Sequence, residues 1–163
     1  MKKVVVLSGG TGGYAILRGL KAYPLDITAV VTMSDSGGSS GILRDEFGIL
    51  PPGDVRSCLT ALAEENEENI VRELFTFRFD KQSSLRGHAF GNLFLTALTQ
   101  ITGSEIEAIK KAAQLLHIKG AVLPVTTDQT HLCAELADGK LIFGETNIDI
   151  RKKDKCTGIK RVF

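Results

Sequence analysis

The segment that decides the fold of this chain is Val4-Val5-Val6-Leu7-Ser8-Gly9-Gly10-Thr11-Gly12-Gly13-Tyr14. A β-branched run, a cluster of glycines and then helix-forming residues predict a strand, a tight turn and a helix. Backbone N–H groups at such a helix start favour an anion, because they are unsatisfied and lie at the positive end of the helix dipole. A phosphate-bearing ligand is the first hypothesis, and a turn that serves only chain reversal is the alternative.

The stretch Gly10–Ala15 also fits G-x-G-x-x-A, the dinucleotide fingerprint. An NAD site further requires an acidic residue at the tip of the second strand, about twenty residues later. That strand is predicted over Ile27–Val31, with Asp26 before it and Asp35 only later, in a new glycine-rich segment. The pattern therefore favours the fold more than NAD itself, and a generic NAD-binding domain stays an alternative.

The composition is that of a soluble globular protein, with 43% hydrophobic and 24% charged residues in 163, a length that suits one domain. A formal net charge of +1 gives no electrostatic basis for binding nucleic acid or an anionic membrane. The apolar runs are too short for membrane insertion. Cys58, Cys133 and Cys156 lack the spacing of a zinc site or a disulfide framework. We expect a cytoplasmic protein without a tightly bound metal or other cofactor.

Hydrophobic periodicity predicts an α/β chain in which strands and helices alternate. The helix at 88–101 is expected to be the most buried, with His88, Asn92 and Thr96 as its polar stripe, and Asp54 is expected to cap the helix that follows it. The predicted strands cover 4–7, 27–31, 121–125, a hairpin with a type I′ turn at 138–139, and 159–163. The predicted helices cover 14–21, 42–47, 54–63, 70–79, 88–101 and a segment opened by a capping box at 104–107.

A second glycine-rich segment, Asp35–Gly41, offers groups suited to phosphate or sugar binding. Its glycines expose backbone amides, its serines add hydroxyls, and Asp35 suits a magnesium ion or a ribose hydroxyl. A flexible solvent loop is the alternative. Arg44 shortly afterwards is a candidate to bind phosphate through its planar guanidinium, although a lone arginine is more often a solvated charge.

Two further segments place polar side chains at predicted helix starts. Prolines 51 and 52 precede Asp54 and Arg56, where a ligand contact and a plain capping role for Asp54 are equally open. His88 and Asn92 lie one turn apart, which makes a binding role about as probable as a structural one. The sequence shows no Ser-His-Asp or Cys-His arrangement, so no catalytic residue is predicted.

The chain is identified by these motifs as resembling the YvcK-type gluconeogenesis factors, relatives of the CofD 2-phospho-lactate transferases in the UPF0052 superfamily. The motifs occur in the order Gly9–Gly12, Asp35–Gly41, Ile49–Arg56 and Gly87–Asn92. The resemblance covers essentially the whole chain. It implies a Rossmann-like three-layer α/β/α fold with a mostly parallel sheet and a β-hairpin insertion. It also implies that residues 1–163 form a single CofD-like nucleotide-binding domain.

The resemblance implies one of two functions. The YvcK branch implies a cytoplasmic regulatory protein that binds UDP-sugars such as UDP-N-acetylglucosamine and is linked to gluconeogenic growth, cell shape and cell-wall synthesis. The CofD branch implies a phosphotransferase that moves a lactyl-phosphate group from a guanosine dinucleotide to a deazaflavin, with a divalent metal. The glycine segment and Pro51-Pro52-Gly53-Asp54 are spelled as in the YvcK branch, which favours a binding protein over an enzyme.

The ligand-binding residues predicted in this way fall into four groups along the chain. The first cradles the diphosphate, the second closes over it, the third fixes the sugar or ribose, and the fourth lines the cleft floor. Asp35 and Asp54 match positions of metal or substrate ligands in the CofD branch, so magnesium is expected to arrive with the nucleotide. The groups are Gly9, Gly10, Thr11 and Gly12; Asp35, Gly37, Gly38, Ser39, Ser40 and Arg44; Asp54 and Arg56; and His88 and Asn92.

Two features depart from the family pattern. The YvcK pattern has two adjacent acids where this chain has Asp35-Ser36, which argues against a two-carboxylate metal site. Family members are also longer, so we expect this chain to be the N-terminal portion of a longer domain, incomplete at its C-terminus. The predicted strand at Ile159–Phe163 would then lack flanking strands, which favours a homo-oligomer.

Overall fold

In the computed structural model, the described residues 1–64, 70–80, 82–150 and 157–163 form a mixed α/β fold. Cys58 and Cys133 are free thiols. The sequence also predicts an acidic connection over 64–69 and a basic segment over 151–155; except for Glu64, both lie outside the described residues, as does Cys156. The elements are β1 (Lys2–Ser8), α1 (Thr11–Leu20), β2 (Leu25–Val31), α2 (Gly38–Phe47), α3 (Pro52–Leu62), α4 (Ile70–Thr76), α5 (Phe90–Thr102), α6 (Glu105–Leu115), β3 (Ala121–Pro124), β4 (Cys133–Leu136), β5 (Leu141–Phe143), α7 (Glu145–Asp149) and β6 (Ile159–Val162).

The first three strands form a parallel sheet in the order β1-β2-β3. Val6 pairs with Ala29, and Ala29 pairs in turn with Val122. Helix α1 connects the two parallel strands β1 and β2, so the predicted β-α-β unit and the α/β fold class are confirmed.

Among the described residues, helices α1, α3 and α6 pack on one face of this sheet. The side chains that β2 directs to that face, such as Ile27 and Val31, are buried in the core against Leu17 and Leu59. On the opposite face, β1 exposes apolar side chains, with Leu7 81% exposed. No described helix is long and apolar enough to cross a bilayer.

The hairpin of β4 and β5 is confirmed, but its predicted turn type is wrong. A type I′ turn needs positive φ at both central residues, whereas Gly139 alone has it, at 86°. The Leu136 N–H instead donates to the Lys140 carbonyl across the three-residue loop 137–139. This loop matches the common three-residue hairpin, in which a type I turn precedes a left-handed glycine.

The last strand also differs from expectation. Strand β6 pairs antiparallel with β4 in a second sheet of order β5-β4-β6, and its residues are exposed rather than buried.

The helices differ from the prediction in the residue at which they begin and in how many of their residues are buried. Helix α2 starts at Gly38, earlier than predicted, while α5 starts at Phe90 and leaves His88 outside. Helix α3 buries eight of its eleven residues and α5 only four of thirteen, so α5 is not the most buried helix. Asp54 is the third residue of α3, and Pro51 holds the N-cap position instead.

The glycine turn between β1 and α1 is built by two residues with different roles. Gly10 precedes α1 with φ 75°, a conformation that favours glycine. Gly13 is buried, and a Cβ there would coincide with the Ser8 hydroxyl. The close approach of helix and strand therefore depends on Gly13. Ala15, the third position of the fingerprint, is exposed.

We predict opposite stability effects for alanine at two neighbouring positions of α1. Gly13→Ala should lower the free energy of unfolding by about 1–3 kcal/mol, because its methyl group overlaps Ser8. Gly12→Ala should raise it by up to about 1 kcal/mol, since a Cβ there meets no protein atom and alanine favours the helix. Urea unfolding measures both changes, and Ser8→Gly should partly rescue Gly13→Ala. Equal effects at the two positions would contradict this packing.

The predicted homo-oligomer is expected to form through the exposed sheet face of Val5, Leu7 and Leu123. Leu7→Lys should shift the protein towards monomer in analytical ultracentrifugation, because a charge at that face opposes its burial. Ile101→Lys is the matched control, since Ile101 is 79% exposed on α5. A wild-type monomer at high concentration, or equal effects of the two variants, would contradict association through this face.

Candidate functional site

The candidate site is a cleft of about 300 Å³ beside the carboxyl ends of β1 and β2. Open α/β sheets bind their ligands at this edge. Eight of the predicted ligand-binding residues line the cleft, and the sequence analysis did not single out Gly53, Ser57 or Arg78. The lining consists of Asp35, Gly37, Gly38, Ser39, Ser40, Gly53, Asp54, Arg56, Ser57, Arg78 and Asn92.

The segment after β2 is an ordered helix start. The Asp35 Oδ1 atom accepts a hydrogen bond from the Gly37 N–H at 2.8 Å, and α2 begins at the next residue. Ser39 and the buried Ser40 therefore lie in the first turn of α2, beside its unsatisfied N–H groups. The alternative of a flexible solvent loop does not describe this segment.

Asp54 connects the cleft to the glycine turn. Its carboxylate lies near the Gly10 N–H, one of the donors that the sequence assigned to a phosphate. Burial raises the pKa of Asp54 above its ordinary value, the Gly10 N–H opposes that rise, and the charge of Asp35 adds to it. Gly9–Gly12 do not line the cleft themselves but adjoin it beside Asp54.

Glu145 is an acidic residue of the site that the sequence analysis missed. It begins α7, and its Oε2 atom accepts a hydrogen bond from the Ser36 N–H at 3.3 Å. The Ser36 hydroxyl in turn accepts from the Thr146 N–H at 3.0 Å, which holds the start of α7 against the segment after β2. Burial raises the pKa of Glu145, and the nearby Asp35 raises it further by its charge and by a shared hydrogen bond. A second carboxylate therefore lies beside Asp35-Ser36, although it comes from a distant part of the chain.

The acidic groups do not by themselves form a metal centre. Within the part of the chain that the structure describes, no three Asp, Glu, His or Cys side chains are arranged to hold a metal ion. Magnesium that arrives with a nucleotide therefore stays a prediction, with Asp35 and Asp54 as its ligands on the protein.

A chain of hydrogen bonds joins four predicted residues from different elements. The Arg56 Nε atom donates to Asn92 Oδ1 at 2.9 Å, and Asn92 Nδ2 donates to Ser39 Oγ at 3.1 Å. Ser39 Oγ lies 2.9 Å from His88 Nδ1. Gly91 makes room for this arrangement, because a Cβ there would lie 2.9 Å from Arg56 Cδ. The side chain of Asn92 is therefore bonded to other residues of the protein.

The opposite side of the cleft is cationic. Burial lowers the pKa of Arg56, and the nearby charge of Arg78 lowers it further. Arg78, which the sequence analysis missed, is placed by the isolated bridge between its backbone and Ala89, and its Nη1 atom donates to the Gly87 carbonyl at 3.1 Å. Two guanidinium groups that disfavour each other's charge would be stabilised by an anion bound between them.

Arg44 is not brought into the cleft. Its side chain is 9% exposed and donates to the Asp45 carboxylate at 2.8 Å. Its Nη1 atom also donates to the Asp35 carbonyl at 3.4 Å. This geometry fits a residue that holds the backbone of Asp35 in place.

The comparisons with known proteins agree on one family. Residues 4–163 match the family model described as 2-phospho-L-lactate transferase CofD. A gluconeogenesis factor of Bacillus subtilis is 45% identical over 161 residues, which are 99% of this chain and 49% of that protein. A relative from Nostoc sp. is 54% identical over 146 residues, 90% of this chain and 32% of its own length.

A solved structure gives the same result for the fold. The crystal structure of a UPF0052-family protein from Bacillus halodurans matches this chain with a TM-score of 0.91 at 44% sequence identity. The match covers 100% of this chain and 51% of that one. The chain thus spans about half the length, or less, of the relatives that it matches.

The raised pKa of Glu145 predicts a pH-dependent effect of Glu145→Gln. Folding disfavours the ionised form of Glu145, so the contribution of this residue to stability is fully present below the ordinary glutamate pKa of 4.5 and is lost as the pH rises through the raised value. The neutral variant avoids this loss. Its melting temperature should be about 1–2 °C higher than that of wild type at pH 7 and equal to that of wild type at pH 3.5.

Glu107→Gln is the control for this measurement. Lys110 lowers the pKa of Glu107, so that variant should lose rather than gain stability at pH 7. Melting curves by circular dichroism in the presence of a chelator record both. A lower melting temperature for Glu145→Gln at pH 7 would contradict the assigned electrostatics.

Proposed function

The chain belongs to the CofD family, and from this premise and the geometry of the cleft we propose that it binds a nucleotide sugar of the UDP-N-acetylglucosamine type as a regulatory ligand. Its similarity to gluconeogenesis factors links it to gluconeogenesis. A role in cell shape and cell-wall synthesis, and a cytoplasmic location, belong to the same proposal. Because the chain spans about half of its relatives, the proposal concerns the part of the ligand site that this chain contributes.

The observation that carries the proposal is the pair of arginines at the cleft. Arg56 and Arg78 both line it, and each guanidinium presents donors that match phosphate oxygens. Arg56 is held through Nε by Asn92, so its position does not have to be ordered when a ligand binds. The start of α2 adds unsatisfied N–H groups on the same cleft. These features support a diphosphate as the bound group.

The carboxylates suit the sugar end of such a ligand. Asp35 and Asp54 line the cleft, and ionised carboxylates accept hydrogen bonds from sugar or ribose hydroxyls. Magnesium held between them and the diphosphate would use the same oxygens. Either contact offsets the repulsion between the two acids, which adds to the rise that burial causes in the pKa of Asp54.

A second candidate is the CofD-type transfer of a lactyl-phosphate group to a deazaflavin. The family model carries that name, and the acidic cluster of Asp35 and Asp54 suits a divalent metal at the transferring phosphate. Magnesium-dependent release of a nucleoside monophosphate from a guanosine-linked donor, in the presence of a deazaflavin, would favour transfer over regulation. A third candidate, an NAD-binding domain, is weakened because Thr32 stands after β2 where that fold needs an acid.

We expect Gly12→Val to abolish binding of UDP-N-acetylglucosamine, measured by isothermal titration calorimetry with and without magnesium. The wild-type chain should bind, and more weakly than a full-length relative. At Gly12 a Cβ meets open space, so valine fits the fold but fills the surface beside the turn that a phosphate must approach. Gly19→Val is the matched control, because it lies on the same helix with equally open surroundings. Undiminished binding by Gly12→Val would show that the turn does not face the diphosphate.

The same titration tests the cationic side of the cleft. Arg78→Met should weaken binding about tenfold through the loss of a charge-assisted contact. Arg161→Met is its control, because Arg161 pairs with Glu135 on the second sheet. If neither UDP-sugars nor GDP bind the wild-type chain or a full-length relative, nucleotide binding at this cleft is wrong.

A further inference from the structure

The Ser39 hydroxyl and the His88 imidazole form a pair that the sequence does not reveal. The two residues are 49 positions apart, and Ser39 Oγ lies 2.9 Å from His88 Nδ1. We propose that Ser39 is a nucleophile activated by His88 as general base, and that it attacks phosphorus in activated phosphate esters. This activity goes beyond ligand binding. Ser39 lines the same cleft, whereas His88 is not a lining residue and adjoins the cleft through Ser39.

The direction of two hydrogen bonds in this network follows from the chemistry of Arg56. A guanidinium has no acceptor, so the Asn92 oxygen must face Arg56 and the Asn92 amino group must face Ser39. Ser39 Oγ therefore accepts from Asn92. In the proposed state the hydrogen of Ser39 is donated to His88 Nδ1, which requires the tautomer of His88 that carries no hydrogen on Nδ1. A neutral His88 that accepts at Nδ1 carries its hydrogen on Nε2.

This direction is the one that a nucleophile requires. His88 Nδ1 is placed to take the Ser39 proton as the new bond to phosphorus forms. The Asn92 N–H stabilises the negative charge that develops on Ser39 Oγ, and the Arg56 charge behind it polarises the same amide. The first-turn N–H groups of α2 lie beside Ser39, which is the second residue of that helix.

The proposed step conserves atoms and charge. Ser39 Oγ forms a bond to phosphorus, and the bond from phosphorus to the leaving group breaks with its electron pair on that group. The Ser39 proton moves to His88 Nδ1 and from there to the leaving group. The product is a phosphate ester of Ser39 and the protonated leaving group.

Two other hydroxyl groups nearby are engaged differently. Ser57 also lines the cleft, but its hydroxyl donates to the Gly53 carbonyl at 3.0 Å within α3. Thr96 donates to the Asn92 carbonyl in the same local manner. Ser39 and His88 are both half-buried, which leaves them accessible to a small reagent. His88 is also held through its backbone, because its N–H donates to the Leu85 carbonyl and its carbonyl accepts from the Phe79 N–H.

Diisopropyl fluorophosphate tests the proposal directly, because a base-assisted serine displaces fluoride from it and keeps the diisopropylphosphoryl group. The full 163-residue chain should gain one adduct, which tandem mass spectrometry should locate on Ser39 and not on Ser57. His88→Ala should slow labelling by about a hundredfold, the usual contribution of a general base. His131→Ala is the control and should label at the wild-type rate. Absence of an adduct on Ser39, or equal labelling of His88→Ala, would overturn the proposal.

A second measurement keeps the test independent of whether His88→Ala folds. Nitrogen-15 NMR of the wild-type chain at neutral pH should show His88 protonated at Nε2 and not at Nδ1. Asn92→Ala, which removes the donor to Ser39, should slow labelling at least severalfold. Protonation at Nδ1 would overturn the proposal. The probe contains no nucleoside, so failure of nucleotide binding would leave these outcomes unchanged.

Discussion

The approach of the Asp54 carboxylate to the Gly10 N–H is the contact on which the arrangement of the cleft depends. It brings the turn after β1 to the first turn of α3, a helix that buries eight of its eleven residues. The core fixes α3 and so places Asp54 beside the glycine turn. This position has a cost, because burial and the charge of Asp35 both disfavour the ionised form of Asp54 and raise its pKa. Such a cost is typical of a site that is organised before its ligand arrives.

That constraint also separates the charges of the cleft into two sides. Asp54 and Arg56 are two residues apart on α3, yet Asp54 points to the glycine turn and Arg56 to Asn92 on α5. Asp35 and Glu145 lie near Asp54 on the acidic side, and Arg78 lies near Arg56 on the cationic side. A ligand with an anionic centre and a hydroxyl-rich or metal-bound end fits this separation, whereas a uniformly charged partner such as nucleic acid does not.

The sequence predicted those features of the fold that are controlled by local residue patterns. The β-α-β unit, the parallel strands and the capping residue Ser104 follow from periodicity and turn chemistry, and they are confirmed. The predicted site residues mostly gather because strand ends and helix starts meet at one sheet edge. Glu145 and Arg78 could not be predicted, because Glu145 arrives after a hairpin and Arg78 through an isolated bridge to Ala89. The burial of α5 was misjudged because apolar residues such as Ile101 stay exposed on its outer face.

The same guanidinium gives the site two chemical properties at once. Arg56 lines the cleft as a cation and, through Nε, fixes the amide of Asn92 and hence the hydrogen bond that Ser39 Oγ accepts. An anion that draws Arg56 away from Asn92 would therefore free that amide to turn and would change the hydrogen bonding of Ser39. Anion binding and the orientation of the serine–histidine pair are thus coupled through one side chain, and such coupling acts equally in both directions. An arginine that served only to bind a phosphate would not need to be joined to a histidine by three hydrogen bonds through an amide and a hydroxyl.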